Sequence, residues 1–286
     1  MYMKVEVVQT EVEGRNNFNV LYDGKLQFVA QTPFVSIREP FNIEKVREIK
    51  IFDSNNHLAY STDYQYLENL KEQFIPLKYL ATGSQKFNQL IFRSNNQVIK
   101  IYYEENDIWK NRYVIELNDK SFFCYSIEDG YIRHFPIYDG EIQIGEALKS
   151  NVVVDGKDQY CCYLKDNSSF LADGVVCLLL YLDRNLYSSS YLVQKSYSLS
   201  KSFSFQKNNS YYDANWVKNN FGDEYFLKVE KDVEIVKEKL YHPFQSFKEQ
   251  FQSMSVQKRR MLIFFLALPW IAILVIGIIV LLIVIF

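Results

Sequence analysis

The feature that most limits what this chain can become is the run from Met261 to Phe286, MLIFFLALPWIAILVIGIIVLLIVIF, 26 residues without a charge. As a helix it spans about 39 Å, more than the roughly 30 Å hydrocarbon core of a bilayer. A buried core helix is the alternative reading, but core helices are shorter, and this run is apolar on every face. Lys258, Arg259 and Arg260 stand directly before it, and such a basic collar marks the cytoplasmic end of a span. The run is therefore read as a transmembrane helix, anchored and oriented by Lys258, Arg259, Arg260, Pro269 and Trp270. Pro269 and Gly277 do not oppose this, since both residue types are commoner in membrane helices than in soluble ones.

The opening stretch, MYMKVEVVQTEVEG, has neither the basic nor the apolar region of a signal peptide. The expectation is a tail-anchored, single-pass protein with residues 1 to about 257 on the cytoplasmic face and the lipid bilayer as a partner. Charge is unevenly divided. Residues 1–187 carry 20 Lys and Arg against 26 Asp and Glu, a net of −6, and residues 188–286 carry 12 against 8, a net of +4. An acidic main domain argues against nucleic acid as a ligand. The four cysteines, Cys124, Cys161, Cys162 and Cys177, show no metal-ligand spacing. Cys161 and Cys162 adjoin in a strand and so point to opposite faces. All four are read as small buried apolar residues with reduced thiols.

From the start to about residue 165, apolar and polar residues alternate between short turns. Phe18–Tyr22 and Lys25–Ala30 flank Asp23-Gly24, the signal for a type I′ hairpin. IFDSNNHLAY and IFRSNNQVIK, 40 residues apart, read as two similar hairpins and hint at a duplicated unit. RYVIEL-ND-KSFFCYSI, YIRHFPI-YDG-EIQIGEAL and NVVV-DG-KDQYCCYL read as three more. About twelve strands in meander order result, and a sheet that wide closes or folds over to bury its inner face.

The period then changes. Asp173 to Asp183, DGVVCLLLYLD, is apolar on nearly every face, with Asp173 placed as an N-cap, and is too short to span a bilayer. Such a helix needs apolar partners all round, which a closed barrel threaded by it supplies. Asp173, Val176, Leu179, Leu180 and Leu182 are its marker residues.

About twelve antiparallel strands followed by one apolar helix resembles the tubby C-terminal-like fold, shared by tubby proteins, phospholipid scramblases and LURP-one-related proteins. LADGVVCLLLYLDRNLY, Leu171 to Tyr187, is similar to the closing helix of LURP-one-related members. NVLYDGKLQFVAQ and EIKIFDSNNHLAY resemble the family's recurring strands with an aspartate-led turn. The resemblance covers residues 1–187 and implies a closed barrel with 171–187 as its central helix. In the family that helix lies near the chain's end, whereas about 100 residues follow here. The basic residues behind tubby's phosphoinositide binding have no match.

Residues 188–257 read as a connector with some strand content, then a helical stalk. Phe226, Val229, Val233, Val236 and Leu240 make an amphipathic stripe, read as a helix docked on the barrel rather than a coiled-coil seam. Pro243 suits the first turn of a further helix, with His242 before it. There Phe244, Phe247, Phe251 and Met254 form a stripe suited to the headgroup layer or to packing on the protein. Residues 258–286 are the collar and span.

No catalytic motif is present: GxSxG, GxxxxGK[ST], HExxH and GxGxxG are all missing. His57, His134 and His242 have no partner at metal-ligand spacing, and Glu104-Glu105-Asn106-Asp107 reads as a solvated hairpin tip rather than a calcium loop. No catalytic, metal or cofactor residue is assigned. The expected function is non-enzymatic: a barrel at the membrane face that binds a lipid headgroup or a protein. The alternative, a scramblase-like lipid mover, needs a polar route across the bilayer, and Met261–Phe286 offers no polar side chain to line one.

Overall fold

Two turns show how the sequence closes its strands on one another. Asp23 and Gly24 have φ of 48° and 78°, and Asn118 and Asp119 have φ of 51° and 59°. Positive φ at both central residues is the type I′ geometry, whose twist matches that of the flanking strands. The computed structural model describes residues 2–12, 15–33, 48–64, 66–74, 83–105, 111–155, 158–186, 197–203 and 212–253, the last of these as backbone only from 241 onward. The chain divides into two compact units, Met1–Val236 and Lys237–Phe286.

The strands are β1 (Tyr2–Val12), β2 (Arg15–Tyr22), β3 (Lys25–Pro33), β4 (Lys50–Asp53), β5 (Leu58–Tyr64), β6 (Gln85–Arg93), β7 (Val98–Glu105) and β8 (Asn111–Leu117). They continue as β9 (Lys120–Cys124), β10 (Ile127–Gly130), β11 (Ile132–Asp139), β12 (Ile142–Ser150), β13 (Val152–Val154), β14 (Asp158–Lys165), β15 (Tyr197–Leu199) and β16 (Ser202–Phe203). β1 to β9 run in meander order, β9 pairs β11, β11 pairs β12, and β14 lies between β12 and β1. The ring thus closes as an antiparallel barrel of 12 strands, with β10 and β16 as an outer extension. Alternation sets its two faces. Val5, Val7, Ile99 and Ile101 point into the core, while Lys4, Lys100 and Tyr102 point out.

A 3-10 helix, Asp166–Leu171, leads from β14 straight into the central helix, Ala172–Leu186. Ala172 and every residue from Gly174 to Asp183 are buried, and the helix shares one apolar cluster with strands around the whole ring. The expected marker residues Val176, Leu179, Leu180 and Leu182 are all in that cluster.

Three local expectations are corrected, and one helix is added. NVVV-DG-KDQYCCYL is not a hairpin: β13 leaves the wall and pairs β15 in a separate two-stranded sheet, while β14 pairs β12 and β1. Val152 and Val154 are drawn out to an apolar cluster on the barrel's exterior. Tyr66–Phe74 is a helix not anticipated among the strands. It is held by Asn69, whose amide accepts from Gln89 N (2.6 Å) and donates to Gln89 O (3.0 Å) beside the bulge in β6. Pro243 and His242 lie inside one helix, Glu224–Ser253, and not at the start of a new one, since proline's fixed φ is a helical one and its cost is a lost backbone bond. Glu104 is no solvated tip: it is buried on the outer wall and takes Arg112 Nε at 2.8 Å. The two look-alike hairpins also differ at their turns. Asp53 accepts from Asn55 N and His57 N, whereas Ser94 Oγ accepts from Asn96 N and Gln97 N.

Sealed this way, the amides from Val175 to Leu182 are expected to be the slowest in the barrel unit by hydrogen exchange. Gly145 is a second test. A Cβ there would lie 2.6 Å from Leu164 Cδ2 and 3.0 Å from Tyr163 O, so Gly145→Ala is expected to cost about 1–3 kcal/mol in denaturant unfolding. An unchanged midpoint would mean that β12 and β14 do not pack this closely.

Candidate functional site

With the helix Ala172–Leu186 inside the barrel, polar side-chain networks are found at the rim and on the outer wall. At the rim, the 3-10 helix already feeds the central helix, and Ala172 N donates to Ser169 O. Asp173 is consequently not the N-cap that the sequence suggests. Its carboxylate instead accepts two phenols, Tyr22 OH at Oδ1 and Tyr60 OH at Oδ2, both at 2.6 Å. Burial, with Asp173 beside them, pushes both phenols well above their ordinary range, so they stay neutral donors. One carboxylate thereby ties β2 and β5 to the start of the helix.

On the outer wall a second apolar cluster joins Leu148, Val152, Cys161 and Tyr163 to residues of the chain's later part. Those are Trp216 and Val217 on a short helix, Trp216–Phe221, and Tyr225, Val229, Val233 and Val236 on the long one. The expected stripe is therefore used, with Phe226 partly buried and Leu240 exposed. Cys161 faces this cluster while Cys162 faces the inner core, as strand alternation requires. All four cysteines are free and buried, and burial pushes the Cys161 thiol up to about 11.

Beneath the same segment lies a buried polar group. His134 Nδ1 and Glu146 Oε1 are 2.7 Å apart, Gln143 Nε2 donates to Glu146 Oε2 at 3.1 Å, and Tyr138 OH reaches Gln143 at 3.4 Å. Burial raises the Glu146 carboxyl against the opposing effect of His134. The rings of Tyr212 and Phe226 stand over His134 at 6.0 and 6.4 Å. His134 and Glu146 are only 5% and 1% exposed. The pair is thus enclosed between the wall and the Tyr212 and Phe226 rings. Nothing in the sequence marks it, because residues 12 apart meet only through the β11–β12 register.

Among the described residues, the wall has two openings of note. A cavity of about 260 Å³ lies where the long helix crosses β1, β13 and β14, lined by Val8, Val152, Gln159, Lys228, Val229 and Asp232 among others. A more polar one, about 440 Å³, lies between the β6–β7 and β8–β9 turns, over Lys100, Glu116 and Ser121. There Glu116 accepts from Tyr102 OH (2.7 Å), Lys100 Nζ (3.0 Å) and Lys86 Nζ (3.1 Å). Burial alone would raise its pKa, but the three donors outweigh that and hold it at about 2.

Lys258, Arg259, Arg260, Pro269, Trp270 and Met254 lie outside the described residues, and Phe244, Phe247 and Phe251 are placed only as backbone of the long helix. Among the described residues no helix is long and apolar enough to cross a membrane, and no three His, Cys, Asp or Glu side chains gather to hold a metal ion. The chain matches no family model, no curated protein and no solved structure.

Two outcomes follow from these networks. Asp173→Ala takes the acceptor from Tyr22 and leaves Tyr60 with Gln97 Oε1 at 2.9 Å as its remaining one, and is expected to cost about 1–3 kcal/mol in thermal unfolding, with Asp173→Asn costing less. Equal losses would mean that the carboxylate does not serve the tyrosines. For Glu116 the folded pKa lies below the ordinary 4.5, so its stabilisation is present above 4.5 and fades as pH falls towards 2. Acid unfolding is expected to erode the native protein's advantage over Glu116→Gln across that window.

Proposed function

We propose that this protein is a non-enzymatic, membrane-tethered binding module that engages its ligand on the outside of the barrel. The observation that carries this reading is the filled lumen. A barrel used as a container keeps its interior for a ligand, whereas here Gly174 to Asp183 occupy it. The uncharged run Met261–Phe286 behind Lys258, Arg259 and Arg260 supplies the tether and sets residues 1–257 on the cytoplasmic side. The resemblance to tubby-like barrels supports the same role, with a lipid headgroup or a protein as the ligand.

The full-length protein, reconstituted in vesicles, is expected to resist alkaline carbonate extraction and to lose its barrel, but not a fragment containing 261–286, to added protease. Release by carbonate would overturn the tether.

A further inference from the structure

Across β7, β8 and β9 the strand register sets three outward side chains in one row: Lys100 stands beside Glu116, and Glu116 beside Ser121. They form the floor of the polar cavity of about 440 Å³. The β6–β7 and β8–β9 turns rise on either side of it. In the first, Ser94 Oγ accepts from Asn96 N at 3.3 Å and from Gln97 N at 2.9 Å, and Ser94 N donates to Gln97 O at 2.9 Å. The second is the type I′ turn of Asn118 and Asp119. Both turns are fixed by local bonds and backbone geometry, so the side chains they carry are ordered at little cost when a ligand binds. Gln97 is held further, because Tyr60 OH donates to its Oε1 at 2.9 Å. What Gln97 has left for a ligand is its amide N–H pair.

The chemistry of this cavity selects its occupant. Its charges are Lys100, Glu116 and Asp119, and Lys86 binds Glu116 at 3.1 Å, so two cations stand against two carboxylates. The neighbouring Lys120 and Asp139 pair with each other. Recognition of an anion asks for basic groups in excess, and here they are balanced. A cation would meet Lys100 on the floor. A protein partner anchors on aromatic or arginine side chains in an apolar centre, whereas Val98 is the one apolar side chain among the described residues that line this cavity. The lining is instead rich in neutral donors and acceptors, the amides of Asn96, Gln97 and Asn118 and the Ser121 hydroxyl, beside the Asp119 carboxylate. Adjacent hydroxyls on a sugar ring match that set, since each hydroxyl both donates and accepts. The amides donate to them, and Asp119 takes a charge-assisted bond from one.

We propose that this cavity binds the vicinal hydroxyls of an uncharged sugar, either free or as the headgroup of a glycolipid. The assignment deepens, and rests on, the reading of the barrel as a module that engages its ligand on the outside.

The test uses the full-length protein in a polyoxyethylene detergent, which carries no sugar. Methyl α-glucopyranoside, methyl β-galactopyranoside and galactosylglycerol are each followed by saturation-transfer NMR. At least one is expected to receive saturation from the protein. Asn96→Ala with Ser121→Ala is expected to weaken its binding about tenfold, the loss of two neutral hydrogen bonds. Asp119→Asn is expected to weaken it several-fold while keeping the turn, because asparagine tolerates a positive φ. Asp232→Asn, at the cavity beneath the long helix, is the control and is expected to change nothing. Unchanged unfolding midpoints separate loss of the site from loss of the fold. Equal binding of methyl β-galactopyranoside and galactosylglycerol assigns the site to free sugars, and tighter binding of galactosylglycerol assigns it to the lipid headgroup. No saturation of any of the three overturns the proposal and leaves the module to a protein ligand. Binding that the Asn96 and Ser121 changes leave intact also overturns it, as does displacement of the sugar by inorganic phosphate, which marks an anion site. Release by carbonate fails the tether instead and leaves the result with soluble sugars standing.

Discussion

A helix that is apolar on every face cannot stand in water, and a barrel of twelve strands whose inward side chains are apolar cannot leave its lumen to water. Eight strands make a barrel that side chains alone can fill, and the diameter grows with strand number. At twelve, the lumen takes an object about as wide as a helix with its side chains, roughly 10 Å. The segment Ala172–Leu186 is that object. Each partner removes the other's exposed apolar surface, so wall and helix form one cooperative core. The Tyr22–Asp173–Tyr60 bonds then fix where along the lumen the helix starts.

The exterior repeats the same physics on a smaller scale. One stretch of wall, carrying Leu148, Cys161 and Tyr163, is apolar where a solvated face would be polar, and the later helices cover it. The His134–Glu146 pair is tolerable beneath that cover because Gln143 satisfies the second carboxylate oxygen. Elsewhere the wall keeps its charges in compensated sets, Glu116 with two lysines and a phenol, and Glu104 with Arg112, whose guanidinium lies 3.7 Å over Phe123.

What the sequence disclosed and what it hid follow one rule. Asp23-Gly24 and Asn118-Asp119 were legible because φ > 0 is a local demand that those residues meet. The central helix was legible because its apolar surface demands an enclosure. Asp155-Gly156 carries the same turn signal as Asp23-Gly24, yet the strand before it pairs with β15, and Val152 and Val154 join an apolar cluster built largely by residues 216–236. The polar groups were hidden for the same reason. Asp173 meets Tyr22 across 151 positions and Tyr60 across 113, and no spacing rule reports such a meeting. The Tyr66–Phe74 helix was hidden by its brevity, and its hold on β6 comes from Asn69 on Gln89 and from Gln85 Nε2, which donates to Glu72 O at 2.7 Å.

The pairing of β1 with β14 has a consequence in time. Val5 sits opposite Cys162, so the strand made first completes its second edge only with the strand made last before the plug. At synthesis rates of 5–20 residues per second, the outer edge of β1 waits roughly 10–30 s for that partner. Through that interval the growing sheet has an open edge and no interior to collapse upon. Closure and filling must come almost together at the end of the barrel's synthesis, which makes this a slow, non-local fold, one exposed to wrong strand pairings for most of its birth.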